Sequence, residues 1–149
     1  RCLRAGWPLP APAPKALVSY VAAADAAQAF ALAAGAPGAV GEAFNVAAAD
    51  TPAMADFLAG VVAAVGSRSR LVPVPRVMAR LGVGAAKVAA RLGGGRIMGT
   101  PAELLDFALV GGAYSIDKAR RLLGYEPEMT CVDAWAATYR WYWEHRPAR

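Results

Sequence analysis

The sequence predicts an α/β fold in which a few short strands are covered by several helices, and three observations carry that expectation. Two short runs suited to strands, "ALVSYVAAA" and "GEAFNVAAAD", each lead directly into a helical pattern. A third extended run, "RLVPVP", does the same. Glycine and proline punctuate the junctions, as they do where elements end. A chain of 149 residues is about one domain, with enough length to bury a core.

Taken in order, "WPLPAPAPK" is a proline-punctuated extended segment leading into the first strand, where Val18 and Tyr20 suit a buried position. Asp25 is expected to cap the helix "AAQAFALAAG", which should stop at Gly35 with Pro37 beyond it. The second strand lies between Gly41 and Asp50. The next helix has Thr51 as N-cap and Pro52 as first helical residue, and Gly66 closes it. Its Met54, Phe57, Leu58, Val61, Val62 and Val65 recur at i, i+3, i+4 spacing, so this face must cover something, most simply the two preceding strands.

"RLVPVP" is limited by its prolines to an edge or a strand end. The following "RVMARLGVGAAKVAARLGGG" places Arg76, Arg80, Lys87 and Arg91 within about 60° of arc, beside a stripe of Val77, Leu81, Val88 and Leu92. Such a basic face suits solvent, a membrane surface or an anionic substrate. Gly82 and Gly84 each weaken this helix by about 1 kcal/mol relative to alanine. "GVGAAK" begins like a G-x-G-x-x-G phosphate loop, but it follows a helical pattern and has Lys87 where the third glycine belongs, so the dinucleotide reading fails on context. Asp117 is expected to cap a short helix through "KARRLL", ended by Gly124 with Pro127 following. Thr130 and Asp133 form a capping-box arrangement for a last helix, whose Trp135, Tyr139 and Trp143 are read as core packing.

Composition restricts the function classes. The chain is 57% hydrophobic and 18% charged, but no uninterrupted stretch has the length of a membrane span, which points to a soluble protein without a transmembrane segment. The opening "RCLRAGWPLPAPAPK" has no apolar signal-peptide region, and a start at Arg1 suggests an excerpt of a longer chain. A net charge of +5, scattered among acidic residues and without interleaved aromatics or a zinc pattern, argues against nucleic acid. Two cysteines, Cys2 and Cys131, are too few for a disulfide framework, so a reducing, cytoplasmic setting is the default. Cys131 falls in a first helical turn, where the dipole could lower its thiol pKa, yet a buried bystander is the preferred reading. His145 sits in the charged tail "WEHRPAR" and is read as a solvated helix end. No metal ligand set is evident.

Tyr114 and Lys118 in "AYSIDKARRLLGYEP" have the Y-x-x-x-K spacing of a proton-transferring pair. That chemistry needs both side chains on one helical face, so that the ammonium lowers the phenol's pKa. Tyr114 falls three residues before the expected cap, so the pair is read as a chance match.

The C-terminal stretch fits another pattern. Tyr114, Ser115, Asp117, Lys118-Ala119, Leu123-Gly124-Tyr125, Pro127 and the later Trp141-Tyr142 resemble the C-terminal signature of the extended short-chain dehydrogenases, the NAD-dependent epimerase/dehydratase family. Ser115 and Asp117 depart from the usual acid-then-hydroxyl order. "VSYVAAADAAQAFALA" resembles the family's "fxhVxDvAxa" segment in Val21, Asp25 and Ala27, with Ala22 and Ala24 replacing the common histidine and first aspartate. "GEAFNVAAAD" resembles "GexyNvgxg" through Gly41, Glu42, Phe44, Asn45 and Val46. The three motifs stand in the family's order and span nearly the whole chain.

The resemblance implies that residues 1–149 are the C-terminal, substrate-binding portion of a Rossmann-type enzyme whose nucleotide-binding half is absent. NAD or NADP would be held mainly by that missing half, which would also supply the catalytic residues. Nucleotide-sugar members typically begin the first strand Arg-Asp-aromatic, and the arginine holds a diphosphate. Here Val18, Ser19 and Tyr20 stand in those places, which implies a small carbonyl or hydroxyl substrate of apolar character and not a diphosphate sugar. Val18, Tyr20, Asn45, Arg76 and Arg96 are the candidate substrate contacts, with core, turn or surface roles as their plain alternatives. A homodimer is compatible with this reading. The competing readings are a non-catalytic binding or regulatory module derived from the same fold, and peripheral membrane attachment through the basic helix.

Overall fold

A computed structural model describes residues 2–93, 96–97, 100–101 and 110–145. Over these residues the chain is a mixed α/β structure of six α-helices and a two-stranded parallel sheet, with a second, minimal strand pair. In order the elements are α1 (Cys2–Ala5), β1 (Leu9–Pro12), α2 (Ala23–Gly35), a 3₁₀ turn (Pro37–Ala39), α3 (Met54–Ala64), β2 (Leu71–Val74), α4 (Arg76–Gly93), β3 (Arg96–Ile97), β4 (Thr100–Pro101), α5 (Asp117–Leu123) and α6 (Cys131–Glu144).

β1 and β2 pair in parallel, from Leu9 opposite Leu71 to Pro12 opposite Val74, and α2 and α3 fill the long connection that parallel strands require. The Leu9 N–H donates to Arg70 O at 2.9 Å, so Leu9 turns its polar groups toward β2 and Pro10 and Pro12 turn theirs away. The outer side of β1 therefore offers no N–H along the strand. The same alternation puts the ring nitrogen of Pro73 on the outer side of β2. The proline-rich opening segment and "RLVPVP" are thus each other's partners, both edge strands as their prolines demand.

The other two expected strands do not form. Residues 17–22 and 42–48 are outside any strand; Leu17 forms an isolated antiparallel bridge with Ala53, and the Ala48 N–H donates to Tyr20 O at 2.7 Å. The backbone of 16–18 instead meets the start of α3: Val18 N–H donates to Pro52 O, and Met54 N–H donates to Ala16 O. These bonds hold Pro52 and Ala53 in extended geometry, so α3 begins at Met54 with Ala53 as N-cap, two residues after the start read from Thr51 and Pro52.

The apolar face read on α3 is the one that packs. Phe57 and Val61 are buried with Val18, Ala48 and Cys131, and Met54 and Leu58 lean on the same cluster. α3 lies close to α6 at Gly60, where an added Cβ would stand 2.8 Å from Val132 Cγ2. A second cluster gathers Ala29 of α2, Ala47, and Ile116, Ala119, Leu123 and Tyr125 around α5. α2 ends at Gly35 before the turn at Pro37, α3 is closed by Gly66 at φ +64°, and α5 by Gly124 at φ +68°, as the punctuation predicts. α4 runs unbroken through Gly82 and Gly84.

Candidate functional site

The three motif segments that carry the family resemblance meet in one place. Asp25, in the first turn of α2, does not cap its own helix: Ala22 holds the N-cap position, and the carboxylate reaches across to residues 128 and 129. Its Oδ1 accepts the Glu128 N–H at 3.0 Å and its Oδ2 the Met129 N–H at 3.4 Å, while only 3% of the residue is exposed. A buried carboxylate needs such donors, because burying it without them costs several kcal/mol. Tyr125, wholly buried, donates its hydroxyl to Ala47 O at 3.0 Å, and burial pushes its phenol pKa up. Lys118 donates to Glu42 at 2.6 Å and to Ala43 O at 2.9 Å, with its ammonium 5.0 Å from the centre of the Phe44 ring. The hydrogen bond and charge of Lys118 lower the Glu42 pKa.

These bonds also decide the Tyr114 and Lys118 geometry. α5 starts at Asp117, leaving Tyr114 before it, beside Gly112, whereas the Lys118 amine is directed at residues 42 and 43. Asp117 is the first helical residue and not the cap, and the Ser115 hydroxyl accepts its N–H at 3.2 Å and donates to its carboxylate at 2.6 Å. The departure of this motif from the family's order therefore coincides with a local turn built by the serine.

A cavity of about 450 Å³ opens between residues 13–17 and 110–113, a volume suited to a small ligand. Its walls are backbone and small apolar side chains, with Lys15 as the charged group. Gly111, at φ +67°, lets the two walls approach: a Cβ there would stand 2.8 Å from Leu17 O, and Gly112 N–H donates to that same carbonyl at 2.9 Å. Ala13 stands in the left-handed region at φ +48°, a conformation that costs alanine about 1 kcal/mol or more. A second hollow of about 420 Å³ is lined by α2, Phe44, Val46 and Leu123, with Glu42 contributing to its lining. Among the described residues, Lys15 and Glu42 are the charged groups lining the first and second hollow respectively.

The candidate contacts do not converge on one pocket. Val18 is buried in the core against Phe57, Val61 and Cys131, so the adjoining Leu17 reaches the first cavity and Val18 does not. Tyr20 is 45% exposed with its ring 5.2 Å from that of Phe57, and partial burial raises its pKa. Between them Ser19 Oγ is buried without a hydrogen-bond partner. Asn45 is exposed, between Phe44 and Val46 that pack toward the α5 cluster. Arg76 opens α4 and Arg96 opens β3, and the side chains of both lie outside the described residues.

Cys131 is the buried bystander that the sequence suggests, and its thiol is not activated by the helix dipole. It is fully buried, its Sγ donates to Asp50 O at 3.3 Å, its N–H donates to Asp50 Oδ1, and burial pushes its pKa up. His145 ends α6 as read, with its Nδ1 2.9 Å from Trp141 O and its ring stacked on Trp141. Thr130 is the N-cap as read: its Oγ1 accepts the Asp133 N–H at 3.1 Å and donates to the Asp133 carboxylate at 2.7 Å. Trp135, Tyr139 and Trp143 line up along α6 with centroids 5.5 and 6.1 Å apart, half-buried, while Ala134 and Ala136 take the buried positions.

The segment "GVGAAK" forms no dinucleotide cradle. Gly82 and Gly84 lie inside α4, where no free helix N-terminus can meet a phosphate. Among the described residues no group of three or more His, Cys, Asp or Glu could hold a metal ion. Comparison with family models, with curated proteins and with solved structures gave no match to this chain.

The sequence missed Asp25 as a buried staple, Tyr125 as a buried donor and Gly111 as a point of close approach. Asp25 was visible as a lone acid among alanines, and Tyr125 as part of "LGYEP", but neither signal names a distant partner.

Proposed function

We propose that this chain is the substrate-side portion of a Rossmann-type, NAD(P)-dependent oxidoreductase, epimerase or dehydratase of the extended short-chain dehydrogenase kind. The observation that carries this reading is the mutual bonding of the three motif segments: Asp25 with residues 128 and 129, Tyr125 with Ala47, and Lys118 with Glu42. Motifs matched by chance have no reason to supply each other's hydrogen-bond partners. On this reading the chain provides part of a pocket wall and the closing helices, and hydride and proton chemistry belong to a preceding half, which would hold NAD or NADP in the cytoplasm.

The substrate is a carbonyl or hydroxyl compound of apolar character. The apolar lining beside Leu17 supports this, with Lys15 as a polar group at the same cavity. The reading is tested by sequencing the gene upstream of the Arg1 codon. An in-frame strand, glycine-rich turn, helix and Y-x-x-x-K is the expected result, and a start codon immediately before Arg1 would overturn it. The substrate class is tested separately by calorimetric titration of the full-length product with UDP-glucose, where tight binding would exclude it.

A binding module derived from the same fold is the second reading, favoured by the two apolar clusters that the chain closes with its own residues. That reading requires the isolated chain to be soluble and to unfold in one cooperative transition.

A further inference from the structure

The positive charge of the chain is concentrated, not scattered. Residues 57–102 contain seven Lys or Arg and no Asp or Glu, while the rest of the chain has two more acids than bases. The 18-residue α4 lies at the centre of this basic stretch.

α4 also presents its large apolar side chains away from the body of the protein. Val77 and Leu81 are each 69% exposed, Met78 64% and Val88 56%. Its half-buried positions are Ala79, Val83, Ala86 and Lys87. At 100° per residue, the Val77, Leu81 and Val88 stripe lies about 180° round the helix from the centre of Ala79, Val83 and Ala86. The exposed Arg80 stands on the flank between those two faces. Among the described elements, its principal neighbour is the short strand β3 that follows it.

We propose that α4 is an interfacial helix that docks the chain on an anionic membrane surface, with Val77, Leu81 and Val88 in the acyl boundary and Arg80 among the headgroups. Three observations support a lipid occupant. An apolar stripe flanked by the exposed Arg80 is complementary to an anionic interface, where such helices lie flat with their apolar face about 5–10 Å deep. Among the described residues no helix is long and apolar enough to cross a membrane, so α4 would lie on the surface. A second copy is a poorer occupant, because α4 carries no acid to pair with the cations of another α4.

The test is co-sedimentation of the 149-residue chain with phosphatidylserine-containing vesicles and with pure phosphatidylcholine vesicles. Binding to the anionic vesicles, weakened by salt and much reduced on the neutral ones, is expected. Arg80→Gln should weaken it about fivefold, the worth of one cation near a charged leaflet. Leu81→Asp should remove most of it while leaving the thermal unfolding curve in place, and Val88→Asp repeats the measurement on the same stripe should Leu81→Asp unfold early. Absence of binding to either vesicle, or equal binding to both, would overturn the proposal. So would a concentration-dependent dimer that Leu81→Asp dissociates and vesicles do not affect, since the stripe would then be an interface between copies.

Discussion

Two helices of this chain, α2 and α4, show opposite ways of using an alanine-rich sequence. α2 buries Ala29 and sends the carboxylate of Asp25 to two backbone amides more than a hundred residues away. α4 keeps Ala79, Val83 and Ala86 half-buried and leaves Val77, Met78, Leu81 and Val88 in solvent. The difference lies in what each helix is anchored by. A buried carboxylate holding two N–H groups admits one placement, because any other strands three polar groups. A half-buried face of small side chains supplies little contact area, so α4 is held by weaker forces and its larger surface is open to a partner.

That contrast predicts a graded series of effects. Asp25→Ala should be the most damaging substitution, lowering stability by about 3 kcal/mol in a urea titration, because two amides lose a charged acceptor. Tyr125→Phe should cost about 1–2 kcal/mol, leaving Ala47 O without its buried donor. Leu81→Asp should change stability by under about 0.5 kcal/mol, since the side chain is 69% exposed. A loss comparable to that of Asp25→Ala would erase the contrast and mean that α4 is covered in solution.

Glu42→Gln should have the smallest effect, because the Lys118 pair is exposed, at 40% and 48% of the two side chains. Its pH dependence is the diagnostic feature. Lys118 depresses the Glu42 pKa, so the pair's contribution is fully present above the carboxylate's unfolded value and is lost as pH falls through the lower folded value. The stability difference between the parent chain and Glu42→Gln should therefore be constant at neutral pH and vanish in acid. No difference at neutral pH would assign Lys118 to Ala43 O and Phe44 alone.

How far the sequence discloses this structure depends on whether the information is local. The α3 face, the stops at Gly35, Gly66 and Gly124, and the Thr130 cap are local, and all were readable. The segments around Val18 and Asn45 have strand composition and lie outside any strand, because a ladder needs a second chain in register and periodicity does not specify one. Asp117 is displaced from the cap position by the local Ser115 turn, whereas Asp25 has the signature of a cap and serves distant amides. An acid near a helix start can serve its own amides or others, and only the tertiary fold decides between them. The candidate site was the least legible part. Its first cavity is shaped by Gly111 and by the left-handed Ala13, and an alanine in that conformation gives no sign of it in the sequence.

The prolines of β1 and β2 bear on how this molecule can associate. A sheet edge grows by one chain templating the next, each added strand needing a row of amide donors as well as acceptors. Pro10 and Pro12 remove that row from one side of the ribbon, and Pro73 interrupts it on the other. The pair behaves as a chain-terminated polymer: neither a peptide strand nor a fibril of identical copies finds a full template there. Recognition by strand addition to β1 or β2 is therefore disfavoured.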